Sequence, residues 1–343
     1  MTPVCIQSND DASIHEAVRR LKAGGVVVIP TETVYGLAAS TLDESALAQI
    51  FTLKGRPNDN PLIAHVLDQD QASTLVSGWD DRCRRLADRF WPGALTLIFH
   101  RRPEVPPVAA GGRDTLAVRC PSHPVARRVL TEFGGPVSAP SANRSNRISP
   151  TRASHVVDDY KSVSEAEDLL ILDGGACDIG IESTVLDMTS SVPTVLRPGS
   201  ITRNQLSEVL GPIESLHPTE QVHAPGTAAR HYAPETPMIL LNRNEIDSRS
   251  RAIAHRLGIV LIGSDPGVPG SHTIHVLPND PLRFGEMLYS VLRELDEADV
   301  ERILIERPPD IPVWDAVRDR LQRGSTHVST TRSAGGGSSG GSS

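Results

Sequence analysis

Apolar positions recur along the chain at two periods, and the alternation between them outlines the fold. Ile14, Ala17, Val18 and Leu21 fall at helical spacing, which predicts a helix over 12–23 with Ser13 able to cap it and Gly24 ending it. Gly25-Val26-Val27-Val28-Ile29 then runs four β-branched residues together before Pro30, the composition of a buried strand. Helical spacing returns over 43–53, where Leu47, Ile50 and Phe51 share a face, and Pro57 with the Asn58-Asp59-Asn60-Pro61 run forbids continuation. Strands follow at 62–67, 95–99, 115–119 and 169–173, then one from Glu182 and one ending at Arg197. Helices are predicted at 79–90, 123–133, 153–159 and 201–210. Irregular alternation up to about Gly211 implies a twisted mixed sheet with helices.

Beyond Met238 the pattern becomes regular: strand 238–242, helix 245–257, strands 258–263 and 273–277, helix 281–297, strand 302–306, helix 312–323. That order predicts a small parallel open sheet covered by helices, Rossmann-like in layout. It contains no Gly-x-Gly-x-x-Gly stretch, so a dinucleotide site there is unsupported. Residues 212–237 hold five prolines and no periodicity, as a linker would. The expected organisation is α/β: a first domain over 1–211, a linker over 212–237, a second domain over 238–325 and a disordered tail over 326–343 that ends in Ala, Gly and Ser.

Polar residues concentrate where these elements end. Ile29-Pro30-Thr31-Glu32-Thr33-Val34-Tyr35-Gly36-Leu37 sets hydroxyls and a carboxylate directly after the 25–29 strand, and Gly36 allows a close turn. Two readings stand: a binding loop, or a Thr-rich turn leading to the 43–53 helix. Lys54 and Arg56 sit where that helix ends. A helix C-terminus accommodates cations, and the same pair suits phosphate, Arg as a bidentate fork and Lys as a point charge. His65 has apolar neighbours on both sides, the usual setting of a core histidine.

Val137-Ser138-Ala139-Pro140-Ser141-Ala142-Asn143-Arg144-Ser145 is too small-residued to form a core. It reads as a loop whose N–H, Ser and Asn groups meet anionic oxygen, or as a Ser-rich cap for the next helix. Within the linker, Ala224-Pro225-Gly226-Thr227 and Arg230-His231-Tyr232-Ala233-Pro234 gather donors that a spacer does not need.

The 38% hydrophobic content suffices for one large or two ordinary cores, and with 3% aromatics the interior falls to Val, Leu, Ile and Ala. Lys plus Arg number 34 against 42 Asp plus Glu, a net charge of −8, which disfavours holding nucleic acid by phosphate neutralisation. Cys5, Cys83, Cys120 and Cys177 form no C-x-x-C pair, so neither a zinc knuckle nor a disulfide scaffold is indicated and a reducing cytoplasm is expected. No apolar run approaches the ~20 residues of a membrane helix.

Eight stretches, in order, carry a resemblance: "IPTETVYGL" (29–37), "LKGRPNDNPLIAHV" (53–66), "FWPGALTL" (90–97), "VRCPSHP" (118–124), "SAPSANRSNRISPT" (138–151), "IESTVLD" (181–187), "VLRPGSIT" (195–202) and "APGTAARHYAP" (224–234). Together they resemble the threonylcarbamoyl-AMP synthase family, a YrdC-like domain in its long form with an added C-terminal domain. The resemblance implies that L-threonine, bicarbonate and ATP are joined into threonylcarbamoyl-adenylate with release of pyrophosphate, with Mg2+ accompanying ATP. Downstream threonylcarbamoyl transferase proteins would place the group on the adenosine beside the anticodon of certain tRNAs, this chain binding tRNA weakly or not at all. It assigns Lys54 and Arg56 to a catalytic phosphate clamp. Lys54, Arg56, Asn60, Thr115, Ser141, Asn143, Arg197 and Tyr232 are assigned to ATP, and Thr33, His65, Arg119, Ser138 and Ser183 to threonine, with no residue on a metal. In this context His65 becomes a ligand, and Tyr232 with its linker folds over the occupied site. No nucleophile is required, so no covalent enzyme intermediate is expected.

Three other readings compete. Hydrogenase-maturation carbamoyltransferases share the domain but add acylphosphatase and zinc-finger segments, for which this chain has neither length nor paired cysteines. An RNA-binding module would use Arg144, Arg147 and Arg152, against the acidic net charge. An editing-type hydrolase on a related scaffold is disfavoured by Lys54, Arg56, Ser141, Asn143 and Arg197 occurring together.

Overall fold

The computed structural model describes residues 4–7, 10–215, 232–253, 255–268 and 272–326. Most of the expected linker, including 224–231, and nearly all of the expected tail lie outside the described residues. Apolar β-branched runs form the first sheet, which is mixed and twelve-stranded. At one side Val27–Ile29 pairs parallel with Leu170–Asp173 and antiparallel with Gly36–Ser40. Through Val137–Ser138 the sheet continues to Ile63–His65, Thr115–Arg119, Leu95–Arg101, Thr184–Asp187 and Thr194–Arg197. The second sheet is parallel throughout, in the order Met238–Leu241, Arg302–Glu306, Leu257–Ile262, Thr273–Leu277. Both sheet types match the expectation.

Several local expectations are corrected. The chain after Tyr35 is a strand, Gly36–Ser40, which neither the binding-loop nor the turn reading contains. Its Gly-Leu-Ala-Ala-Ser sequence is buried almost throughout and shows no alternation, so no period of two marks it. Asp10, and not Ser13, caps the first helix, accepting from Ser13 N–H at 2.7 Å. The helix Gln69–Leu75 was not anticipated; it is short, and Asp68 caps it. The helix expected at 245–257 is Arg243–Ala252, started by an Asn242/Glu245 capping box.

Each half has core clusters of its own, and one further cluster is shared between them. Val34, Ile148 and Ile181 from the first half pack in one cluster with Met238, Phe284, Leu288, Leu292 and Trp314 from the second. The helix Pro281–Glu297 lies against the 179–182 segment so closely that a Cβ at Gly180, already at φ +73°, would fall 2.5 Å from the Glu286 carbonyl oxygen. Polar ties frame this seam: Arg293 pairs with Asp159 at 2.8 Å, and the Thr151 and Ser290 hydroxyls are 3.2 Å apart.

Candidate active site

Strand register brings the central side chains together. His65 lies opposite Arg119 on the neighbouring parallel strand, and Arg119 lies opposite Thr96 on the next. All three therefore project from one face. Thr184–Asp187 pairs beside Leu95–Arg101 and brings the Ser183 hydroxyl within 2.7 Å of that of Thr96.

Above this row sits the 30–35 loop, which Thr31 tightens by donating its hydroxyl to the Val34 carbonyl (2.6 Å) and accepting from the Thr33 and Val34 N–H groups (3.2 Å each). Arg119 Nη1 donates to Thr33 Oγ1 at 2.8 Å. The 139–142 segment closes the other side: Leu37 N–H donates to the Pro140 carbonyl (2.9 Å) and Ala142 N–H to the Tyr35 carbonyl (2.7 Å). Gly36 is what permits that approach, because a Cβ there would lie 3.0 Å from the Ala139 methyl.

These pieces wall a cavity of about 50 Å³. Thr31, Thr33, Arg56, His65, Arg119, Ser141, Glu182, Ser183, Arg197 and Tyr232 line it, with apolar surface from Val34, Ile63 and Ala139. Arginines dominate its charge. Arg56 is oriented by the Asn60 Oδ1 (2.7 Å) and Pro61 carbonyl (2.9 Å) acceptors, and burial brings it down to about 10, so it is a cation at neutral pH. Arg197 donates from Nε and Nη2 to the Ser183 carbonyl and from Nη2 to the Ser183 hydroxyl at 3.1 Å. Arg119 Nη2 approaches Glu32 to 2.7 Å, yet among the described residues no well-aligned hydrogen bond forms on that nitrogen or on either Glu32 oxygen. Burial opposes ionisation of Glu32, but the Arg119 guanidinium together with the nearby Glu32 and Ser122 N–H groups outweighs it and holds the carboxyl below its ordinary value.

His65 is buried, with Nδ1 3.2 Å from the Ile63 carbonyl. Burial, reinforced by Arg119, pushes it down to about 3, so the ring is neutral at any working pH and meets a ligand as a hydrogen-bonding group without charge. Between the ordinary value near 6.5 and about 3, the unfolded chain binds a proton that the folded chain refuses. The contribution of this residue to stability is therefore complete above pH 6.5 and is lost at about 1.4 kcal/mol per pH unit as pH falls through that window. Urea unfolding at about pH 7, 6 and 5 should show the wild type losing stability faster than His65→Asn by roughly that slope. Parallel slopes would rule out a buried neutral His65.

Of the residues assigned to threonine, Thr33, His65, Arg119 and Ser183 line the cavity and Ser138 does not. The Ser138 hydroxyl is spent on Thr41 Oγ1 at 3.1 Å, fully buried. Of those assigned to ATP, Arg56, Ser141, Arg197 and Tyr232 line it, whereas Lys54, Asn60, Thr115 and Asn143 do not. Lys54, assigned to the phosphate clamp, is a buried staple here: its Nζ donates to the carbonyls of Ser141 (2.6 Å) and Asn143, and burial holds it well below its usual pKa. Asn60 acts on Arg56. Asn143 donates from Nδ2 to the Arg144 and Arg147 carbonyls, leaving Oδ1 a buried acceptor with no partner among the described residues. Thr115 is at the far end of the Arg119 strand, four steps of ~3.3 Å or about 13 Å away.

Glu182 was missed, although it stands inside a quoted motif as a charge between Ile181 and Ser183. It accepts from the Ser149 hydroxyl (2.6 Å), the Tyr289 hydroxyl (3.0 Å) and Arg320 Nε (2.7 Å). Tyr289 and Arg320 belong to the second half, so no local sequence signal connects them to the cavity.

Among the described residues no group of three His, Cys, Asp or Glu could hold a metal ion. Glu32 and Glu182 are each engaged by an arginine. The basic residues of the RNA-binding reading are also occupied in part: Arg144 donates to the Leu53 carbonyl (3.0 Å) and Arg147 pairs with Glu235. No helix among the described residues is long and apolar enough to cross a membrane.

Known proteins share this arrangement. The Sua5/YciO/YrdC family model, described as telomere recombination, matches residues 19–199, and a model described as the threonylcarbamoyl-AMP synthase C-terminal domain matches 201–326. The threonylcarbamoyl-AMP synthase of Pyrococcus abyssi is 36% identical over 92% of this chain and 95% of its own length. That of Bacillus subtilis is 36% identical over 92% and 94%. The crystal structure of P. abyssi Sua5 complexed with L-threonine superposes with a TM-score of 0.86 at 34% identity, covering 95% of this chain and 98% of that one. With both domain models matched in order and the fold shared end to end, the chain belongs to the threonylcarbamoyl-AMP synthase family, in the long form that joins a YrdC-like domain to a C-terminal α/β domain.

Proposed function

We propose that this protein is an L-threonylcarbamoyladenylate synthase, a nucleotidyltransferase that makes threonylcarbamoyl-AMP and pyrophosphate from L-threonine, bicarbonate and ATP. One observation carries the reading: Arg56, Arg119 and Arg197 converge on a single cavity beside the Thr33 and Ser183 hydroxyls. The reaction brings together a threonine carboxylate, a carboxylated amine and a triphosphate, and three fixed cations suit that concentration of anionic charge. Arg119 is the group for the threonine carboxylate, since its Nη2 has a close but misaligned partner and can turn to a better acceptor. Thr33 and Ser183 take the threonine hydroxyl and amine region, with neutral His65 beside them. Arg56 and Arg197 face the phosphates, and the orphaned Asn143 Oδ1 and distant Thr115 suit the remainder of a long nucleotide. Lys54 acts through the 141–143 backbone. Mg2+, when present, would neutralise triphosphate charge.

The cavity volume of about 50 Å³ is that of one or two waters at ~30 Å³ each, far below the ~300–1,000 Å³ of ligand pockets. Tyr232 is one wall of it, buried at φ +60°, a strained conformation for a tyrosine. Its withdrawal would admit substrates. The product would feed transferases that modify tRNA beside the anticodon, in the cytoplasm. Pyrophosphate release from ATP and bicarbonate, with and without L-threonine, tests the reading. Threonine-dependent release with the mixed anhydride visible by mass spectrometry is expected; ATP binding with no threonine dependence refutes it.

A further inference from the structure

Two groups on the cavity wall, Glu182 and Tyr232, are held by one residue that lies far along the chain in the second domain. Arg320, on the helix Asp315–Gly324, is almost wholly buried. Its Nε donates to Glu182 Oε2 at 2.7 Å and its Nη2 to the Glu182 carbonyl at 3.2 Å, so both the side chain and the backbone next to Ser183 are fixed. The same guanidinium carbon lies 5.3 Å from the centre of the Tyr232 ring. Tyr289 repeats the double contact: its ring stacks on Tyr232 at 5.9 Å and its hydroxyl donates to Glu182 Oε2. The end of the Arg320 helix also abuts the Tyr232 backbone, where a Cβ at Gly324 would lie 3.0 Å from the Tyr232 oxygen.

Adhesion between the domains does not require this arrangement. The apolar cluster around Val34, Ile148 and Ile181 and the separate Arg293–Asp159 pair already join them. A buried ion pair is a poor source of stability compared with apolar packing, and its best-attested use is to fix one arrangement among several. Here the arrangement fixed is that of the cavity wall.

We propose that Arg320 is a positioning residue of the active site, supplied by the second domain, which sets the closed position of Tyr232 through the ring and that of Ser183 through Glu182. The proposal rests on the synthase reading for the identity of the ligands. It gives the second domain a task in the reaction: the nucleotide is enclosed only when the Asp315–Gly324 helix is seated.

The test uses the full chain and compares Arg320→Met, Arg320→Lys and Arg293→Met. ATP affinity is read by equilibrium titration, KM and kcat by threonine-dependent pyrophosphate release, and folding by thermal melting. Arg320→Met is expected to weaken ATP binding and raise KM for ATP about tenfold or more, with Arg320→Lys recovering part of the loss because the cation over Tyr232 remains. Arg293→Met, which loosens the same domain seam away from the cavity, is expected to lower the melting temperature while leaving KM for ATP within about twofold. Should Arg320→Met not fold, Arg320→Met/Glu182→Gln removes both charges of that pair, Asp319 keeping Arg323, and takes its place. Wild-type ATP affinity in a folded Arg320 variant, or equal kinetic losses in the Arg293 and Arg320 variants, overturns the proposal. A wild-type protein that binds ATP but releases no threonine-dependent pyrophosphate defeats the synthase reading instead, and the affinity comparison among variants still decides the role of Arg320.

Discussion

Arg56→Ala should lower threonine-dependent pyrophosphate release by roughly 10²–10³-fold, the usual cost of removing one preorganised donor from developing charge. The melting temperature should fall only modestly. Arg56 gives hydrogen bonds to acceptors in its own 56–61 loop, where half-buried Asn60 can take water in its place and the buried Pro61 carbonyl loses one donor. Lys54→Met should behave differently. Removing the ammonium takes a donor from the half-buried Ser141 carbonyl and from the buried Asn143 carbonyl, the latter at about 1–3 kcal/mol, so activity should fall together with stability. Kinetics and melting curves on the two variants separate a residue that faces the reaction from one that holds its loop. Near wild-type turnover in Arg56→Ala would remove it from the phosphate clamp.

Glu32→Ala should be the most damaging single substitution for folding, at about 3–5 kcal/mol, because it leaves Arg119 as an uncompensated buried charge. Glu32→Gln keeps the shape and an acceptor and should cost less. Both changes should also raise KM for threonine, since they remove the carboxylate charge beside the guanidinium. The sign of the pH effect follows from the depressed Glu32 carboxyl: its contribution is present above the ordinary carboxylate range and is lost as acid protonates it. Urea denaturation of the three proteins at neutral pH measures the difference. An Ala variant as stable as the wild type would mean that Arg119 finds another partner.

The sequence pattern revealed both sheets because their apolar runs are bounded by Gly and Pro and separated by helical periods, which are local properties. Gly36–Ser40 escaped because a strand buried on both faces with small residues carries no alternation. The site was legible to the extent that its residues stand in dense polar stretches: Thr33, Arg56, Ser141, Ser183 and Arg197 reach the cavity wall. Ser138 sits in such a stretch too, but residue type does not tell which neighbour a strand turns inward, and Ala139 takes the lining place. Lys54 illustrates the converse. Its position at a helix end suggests an exposed cation, and only the packing of the 141–143 carbonyls above it shows a buried one. Arg320 lies furthest from legibility, since an Asp-Arg pair on an amphipathic helix reads as a solvated face.

The mixing of Val34, Ile148 and Ile181 into the core around the Pro281–Glu297 helix has a thermodynamic reach beyond the site. Parting the two halves would wet these side chains, at roughly 1.5–3 kcal/mol for each one fully exposed. The chain therefore has two folded layers but one cooperative unit along this seam. A molecule held in the cavity lends its binding free energy, RT ln(1 + [L]/Kd), to that unit, so that occupancy protects the parallel sheet as much as the one that touches the ligand.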